Sequence, residues 1–358
     1  MSKNQRVFVS GCYDILHGGH IEFFLQAKSL GDHLTVCVAD DEILWLHKHR
    51  RPSIPLDHKI KLIKALSMVD EVVVGSCNIE GLDFLDHFRS LKPDILAVTE
   101  DDKYEDKKRA VCTEVGVKYV KLKKTLNFEK VSTTDIVKII RAPSEVALRV
   151  DFGGGWLDVP KLAQNGAYIV NCTISPLVSL SDWRYKQGGG LGGSAAYAML
   201  VGLNAIDSEL NLGVGWQDPA VISETGLCVW RSGPKPQLHF KANPDFLNGL
   251  LGLTWTGSEH FTPDKTFLPR DYKLIRSAGD TACRGVYQSN AMALFNAINI
   301  SYEAQLAEGM ETLPTIDTSV AKKYCGGGWG GYALYCFTTK EDRDNAPVIK
   351  IEPYMDYI

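Results

Sequence analysis

Over residues 1–140, short apolar runs rich in β-branched side chains alternate with stretches whose apolar positions recur every three or four residues. The run Val7-Phe8-Val9-Ser10 predicts a buried strand, and the spacing of Ile21, Phe24, Leu25 and Lys28 predicts a helix over 21–30. Further strands are predicted over 34–39, 71–75, 95–98 and 117–120. Between them, Asp40-Asp41-Glu42 opens a loop and helix, 57–66 places Ile60, Ile63 and Leu66 on one helical face, and 82–91 reads as another helix. Ser132 caps a last helix that runs through Ile140. Strands alternating with helices predict a doubly wound parallel sheet of the α/β class, with ligands beyond the carboxyl ends of its strands. Past Arg141-Ala142-Pro143, strand-like runs and glycine clusters replace the alternation, so domains are expected over 1–140 and 141–358.

Length and composition narrow the class. A chain of 358 residues suits two domains, and 45% hydrophobic with 23% charged residues is ordinary for a globular protein. A formal charge of −4 supplies no basic field for DNA or RNA, so no nucleic-acid partner is expected. The nine cysteines form no CxxC pair, which reads as reduced thiols in a cytoplasmic setting. No apolar run reaches the roughly 18–20 residues of a membrane helix, so no membrane partner is expected either.

The candidate chemistry of the first domain lies in Gly11-Cys12-Tyr13-Asp14-Ile15-Leu16-His17-Gly18-Gly19-His20. Gly11 ends the first predicted strand, and His17 and His20 stand at a helix N-terminus. Free backbone N–H groups and the helix dipole there favour a polyphosphate, and two imidazoles three positions apart add donors toward the same anion. Gly18 and Gly19, lacking a Cβ, let a bulky triphosphate approach the backbone. Nucleotidyl transfer needs mostly this positioning and charge stabilisation.

The run resembles the HxGH nucleotidyltransferases. It is most similar to the cytidylyltransferases of the glycerol-3-phosphate and phosphoethanolamine type, and also to the transferase half of the bacterial heptose kinase/nucleotidyltransferase. That resemblance implies a Rossmann-like fold in which His17 and His20 hold the α-phosphate during in-line attack by a substrate phosphate. It implies that a cation in Leu46-His47-Lys48-His49-Arg50-Arg51 grips the outer phosphates, Lys48 first and Arg51 second. It further implies nucleotide contacts from Gly11, Tyr13, Asp14 and Gly19, and from the second signature, Ser132-Thr133-Thr134. Glycerol-3-phosphate enzymes carry an arginine where this chain has Asn127, with Lys123, Lys124 and Lys130 as the nearby substitutes. The departure leans the acceptor away from glycerol phosphate and leaves the base open between cytosine and adenine. Dimers are common among the transferases it resembles.

In the second half, Arg149-Val150-Asp151-Phe152-Gly153-Gly154-Gly155-Trp156-Leu157-Asp158 runs from a strand into a glycine turn. The loop Gly188–Gly193 feeds Ser194 and a helix expected over 195–205, again an anion cradle. A third cluster, Cys325-Gly326-Gly327-Gly328-Trp329-Gly330-Gly331, precedes an apolar strand over 332–337. Together the three resemble the GHMP small-molecule kinases, closest to the sugar-1-kinases of the fucokinase and heptose-7-phosphate kinase kind, and Gly215-Trp216-Gln217-Asp218 adds a fourth likeness. The resemblance implies an α+β kinase domain. Asp218 would be the base or orienting carboxylate, and Gly190, Gly192, Gly193 and Ser194 would hold phosphate, Ser194 also touching Mg²⁺. Arg149, Asp158, Gly327 and Gly328 would contact sugar.

Against the family pattern, some thirty residues separate Asp158 from the phosphate loop and Gly193 stands where a serine is common. Two alternatives therefore stand for this half: a trimmed kinase, or a non-catalytic domain behind a monofunctional cytidylyltransferase. The combined expectation is an enzyme that phosphorylates a sugar at its anomeric hydroxyl with ATP, then couples the product to a nucleotide from CTP, or from ATP or UTP, with Mg²⁺.

Overall fold

A computed structural model describes residues 5–48, 51–124, 131–260 and 268–356, with the backbone alone at Lys48. The chain divides into two compact units, Met1–Val137 and Lys138–Ile358.

In the first unit, β1 (Arg6–Gly11), β2 (His33–Ala39), β3 (Glu71–Gly75), β4 (Ile95–Thr99) and β5 (Lys118–Leu122) form a parallel sheet in the order β3-β2-β1-β4-β5. Helices α1 (Gly18–Lys28), α2 (Asp41–Lys48), α3 (Leu56–Lys64), α4 (Leu85–Leu91) and α5 (Glu105–Val115) connect the strands, and α6 (Thr133–Ile140) begins in this unit and ends, from Lys138, in the second. Period-two alternation on β1 explains the double winding. Val7 and Val9 pack with Phe24 and Ile63 on one face, while Phe8 packs with Phe84 and Phe88 on the other. The order reverses between β1 and β4, and in such sheets ligands bind outside the carboxyl ends of the strands at that point.

The second unit is built on an eight-stranded antiparallel sheet. Its strands are β6 (Val146–Gly153), β7 (Tyr168–Val178), β8 (Leu227–Arg231), β9 (Leu238–Ala242), β10 (Leu251–Trp255), β11 (Ser319–Tyr324), β12 (Tyr332–Phe337) and β13 (Ile349–Pro353). The order is β11-β12-β10-β13-β7-β8-β9, with β6 paired to β7. Helices α7 (Gly193–Leu200), α8 (Ala205–Asn211), α9 (Gln217–Glu224), α10 (Tyr272–Tyr287), α11 (Ala291–Ala307) and α12 (Lys340–Asn345) complete it. One core gathers Leu148, Val150, Ile169, Trp216, Ala282 and Ile298 from strands and helices.

The helix expected over 195–205 is instead two. Gly202, at φ 75, breaks the chain after Leu200, and a Cβ there would press on the backbone of Lys138 and Ile139. Asn204 then caps α8 by accepting from the Asp207 N–H. Among the described residues, no helix is long and apolar enough to cross a membrane.

Candidate active sites

Among the described residues, each unit holds a large cavity. In the first, about 630 Å³ opens beyond the ends of β1, β4 and β5, lined by Gly11, Tyr13, His17, His20, Thr99, Leu122 and Ser132 among others. His17 is the N-cap of α1, and its ring lies against that of His20, tilted by 33° with centroids 3.9 Å apart. Gly19 makes this fold possible, because a Cβ there would stand 3.0 Å from His17 Cε1. The His17 N–H faces His20 Nδ1 at 3.4 Å. A backbone N–H only donates, so Nδ1 accepts, and the proton of a neutral His20 sits on Nε2.

Burial lowers the pKa of His17, and burial followed by the neighbouring His17 lowers His20 to about 4. At neutral pH the pair is therefore a set of uncharged N–H donors at a helix mouth, and stacking brings no charge repulsion. Tyr13, held at φ 42, lies under Gly11 and packs edge-on against His20 and Phe24. Asp14 lines the cavity but accepts from the Ser53 N–H at 2.7 Å and the Ser53 hydroxyl at 2.9 Å, which ties the loop after α2 to the histidine turn.

Opposite the histidines, Ser132 and Asp135 form a reciprocal cap on α6. The Ser132 hydroxyl donates to Asp135 at 2.6 Å, and the Asp135 N–H donates back at 3.2 Å. Thr133 and Thr134 line the cavity, and the Thr133 hydroxyl reaches Ile15 O at 3.4 Å. Of the expected cations, Arg51 is exposed and outside the lining, while the Lys48 side chain and Lys130 lie outside the described residues, as does Asn127. Lys123 and Lys124 do line the cavity, with Lys124 paired to Asp101 at 2.7 Å.

In the second unit the cavity measures about 740 Å³ and is lined by all of Gly188–Ser194 together with Arg149, Asp158, Asp218 and Gly327. The glycine loop is held by its carbonyls. Gly188 O accepts from the His260 N–H at 2.8 Å, Gly189 O from the Tyr332 N–H at 2.8 Å, and Gly190 O from Arg149 Nη1 at 2.7 Å. In a trans peptide the following N–H points the opposite way, so the loop turns successive N–H groups away from these anchors. Gly190, at φ 72, has no room for a Cβ, which would stand 2.6 Å from Cys325 O.

Each residue of Gly215–Asp218 has a distinct task. Gly215 has no Cβ because one would overlap the Asp158 carboxylate. Trp216 is core. Gln217 donates to Asp158 from its backbone N–H at 3.2 Å and its side chain at 3.1 Å. Asp218 receives both arms of Arg149, at 2.6 and 2.8 Å. Arg149, expected at the sugar, is thus committed to Asp218 and to the loop. Behind it the charge ladder continues, because Asp151 lies 3.6 Å from Arg149 Nη1 and is ion-paired with buried Lys323.

Burial pushes Asp151 up, but the charges of Lys323 and Arg149 more than offset it and hold the carboxyl below its ordinary range. Asp158, lacking a cation of its own, is pushed to about 7 by burial and then by Asp218. Gly328, expected at the sugar, lies outside the lining. Its carbonyl meets His260 Nδ1, and a Cβ would collide with Met310.

Sequence reasoning did not assign Glu209. It stands on α8 in the cavity wall, with Oε1 buried and without a hydrogen-bond partner, and Ser194 within hydrogen-bonding reach. Burial, then Asp218, raises it to about 7. Its only sequence signal is a carboxylate nine positions before Asp218.

The family described as Cytidylyltransferase-like matches residues 8–139. A FAD synthase of Thermococcus onnurineus is 44% identical over 102 residues, 28% of this chain and 66% of that protein. A FAD synthase of Pyrococcus horikoshii is 36% identical over 138 residues, 38% of this chain and 91% of that protein. The chain therefore belongs to the cytidylyltransferase-like family, and its first unit is a nucleotidyltransferase. Among solved structures, L. major mevalonate kinase in complex with R-mevalonate is similar at 16% identity and a TM-score of 0.41, covering 59% of this chain and 94% of that one.

Two expectations follow from the charges. With His20 at about 4 in the folded chain and 6.5 when unfolded, the unfolded state binds the extra proton first as pH falls. Stability present above pH 6.5 should decline toward pH 4, and His20→Gln should show a shallower decline when urea midpoints are compared across that range. Lys323→Met removes the ion-pair partner of buried Asp151, leaving it Arg149 at 3.6 Å, and should cost about 3–5 kcal/mol in chemical denaturation, whereas Lys323→Met with Asp151→Leu should recover much of it.

Proposed function

We propose that the chain is a bifunctional sugar-activating enzyme. The observation that carries the reading is one polypeptide with an imidazole-lined cavity in one unit and, in the other, a carboxylate paired to arginine beside a glycine loop. The second unit transfers the γ-phosphoryl of ATP to the anomeric hydroxyl of a sugar, giving sugar 1-phosphate and ADP. The first unit lets an oxygen of that phosphate attack the α-phosphorus of a nucleoside triphosphate. The bond to the leaving pyrophosphate breaks, and an NDP-sugar forms.

In the kinase step the glycine loop and the α7 N-terminus receive the phosphates of ATP. Asp218 aligns the hydroxyl and takes its proton late, since phosphoryl transfer demands little base strength. Asp158, near 7, can both accept from and donate to a sugar hydroxyl. Ser194 and the orphaned oxygen of Glu209 fit a Mg²⁺ ion bound to the phosphates, where it would neutralise their charge. In the transferase step neutral His17 and His20 donate to the α-phosphate, and Ser132, Thr133 and Thr134 close the opposite wall.

CTP is the donor that the cytidylyltransferase signatures favour. ATP gains weight from the relatives named FAD synthase, because FAD is an AMP joined to FMN. A second reading rests on the same relatives, namely transfer of AMP from ATP to FMN by the first unit alone.

The full chain should convert a free pentose, deoxyhexose or heptose with ATP and CTP into a nucleotide sugar and pyrophosphate, detected by mass spectrometry. Asp218→Asn should lose product from the free sugar by about 10²-fold or more while retaining product from the sugar 1-phosphate. FAD made from FMN and ATP, with no nucleotide sugar from any sugar 1-phosphate, would replace this reading with the second.

A further inference from the structure

Trp156 is built into the second cavity in a way the phosphoryl-transfer chemistry does not require. It is a bulky residue at φ 75, a conformation that costs free energy in any residue with a Cβ and persists only where the surroundings impose it. Three features impose it. The guanidinium of Arg270 lies 3.7 Å from the centre of the indole, covering one face. The Arg270 side chain is itself fully buried and ion-paired with Glu308 at 3.1 Å. Gly327 leaves room for the six-membered edge of the ring, since a Cβ there would stand 2.8 Å from Trp156 Cζ2.

The indole is half-buried and lines the cavity, so the part of it not covered by Arg270 and Gly327 is what the cavity meets. Its position marks the acceptor end. The preceding residue, Gly155, sits where a Cβ would lie 3.6 Å from Asp151 and 4.0 Å from the Gln217 amide that holds Asp158. The third glycine cluster thus has a reason of its own, which is to admit a ring.

We infer that Trp156 is a specificity-determining residue of the acceptor site, a rigid apolar platform for the C–H face of a cyclic sugar, with Arg270 as its positioning residue. Asp158 and Asp218 line the same cavity, so the acceptor it suits is amphipathic: polar along one edge and carbon-bound hydrogens across one face. A pyranose presents that pattern, whereas an acyclic polyol or a carboxylic acid does not. The inference rests on the sugar-kinase reading above and specifies which sugars it takes.

The test uses the full chain and a panel of pyranoses, with an acyclic polyol phosphate and a short hydroxy acid as counter-probes. Saturation-transfer NMR on the unaltered protein should saturate the ring C–H protons of one face of a bound pyranose more strongly than the other. Trp156→Asn, which suits the left-handed backbone, should raise the sugar KM about tenfold or more while changing kcat and the ATP KM far less, and Trp156→Phe should restore most of the loss. Phosphorylation of sugars with an unchanged KM in Trp156→Asn, or even saturation of both faces, overturns the platform and leaves the kinase intact. One-face saturation that Trp156→Asn abolishes, in a protein that phosphorylates no sugar, keeps the platform and removes the kinase. Binding of the counter-probes in place of every pyranose removes both.

Discussion

A run of residues without side chains, feeding the N-terminus of a helix, is the constraint on which both cavities depend. Polyanions are drawn to free N–H groups, and those groups are reachable only where no Cβ stands in front of them. In the first unit Gly18 and Gly19 open α1, and Gly19 lets the His17 ring fold back onto His20. In the second, Gly188–Gly192 lead into α7 with their carbonyls tied to His260, Tyr332 and Arg149. Fixing the carbonyls leaves the N–H edge pre-set for an anion. A site ordered before its ligand arrives needs little reorganisation at the moment of reaction.

The two units handle charge in opposite ways. The first keeps its working groups neutral, since burial lowers both imidazoles, and His20 further through the neighbouring His17, leaving them unprotonated and available as donors. The second buries formal charge and must balance it. Lys323, Asp151, Arg149 and Asp218 alternate in sign along one ladder, which balances the three buried members and ends on Asp218 at the cavity wall. Asp158 and Glu209, next to that ladder without a cation of their own, respond by rising to about 7. The ladder thus sorts the carboxylates into one held ionised, one paired for the reaction, and two that exchange protons near neutrality.

Much of the first unit is legible in the sequence, because its central strands β1, β2 and β4 are short apolar runs buried on both faces and its histidines stand between one strand and one helix. Helix α5 is not: Glu105–Val115 is largely charged and buries only Val111 and Cys112, so its apolar periodicity is faint. In the second unit the glycine clusters announce close backbone approach, and Asp218 is readable from its neighbours. Glu209 is not, because its place opposite Ser194 depends on the chain breaking at Gly202 and turning back through α8. Lys323 reads as an ordinary strand lysine beside Lys322, and only its pairing with Asp151, 172 positions away, gives it meaning. Arg149 is visible as important but not as the partner of Asp218, since the two are 69 positions apart. Pattern and turn chemistry are local, and ion pairs across a core are not.

The central claim is that His17 and His20 act on charge that develops at the α-phosphate rather than on ground-state binding. It is tested most directly by comparing two quantities in His17→Ala: the affinity for a non-hydrolysable nucleoside triphosphate by calorimetry, and the rate of pyrophosphate release with the acceptor phosphate present. Affinity within about threefold of the unaltered chain, with a rate lower by about 10²–10³, is the expected result. Loss of affinity and rate in equal measure, or a rate left unchanged, would contradict it.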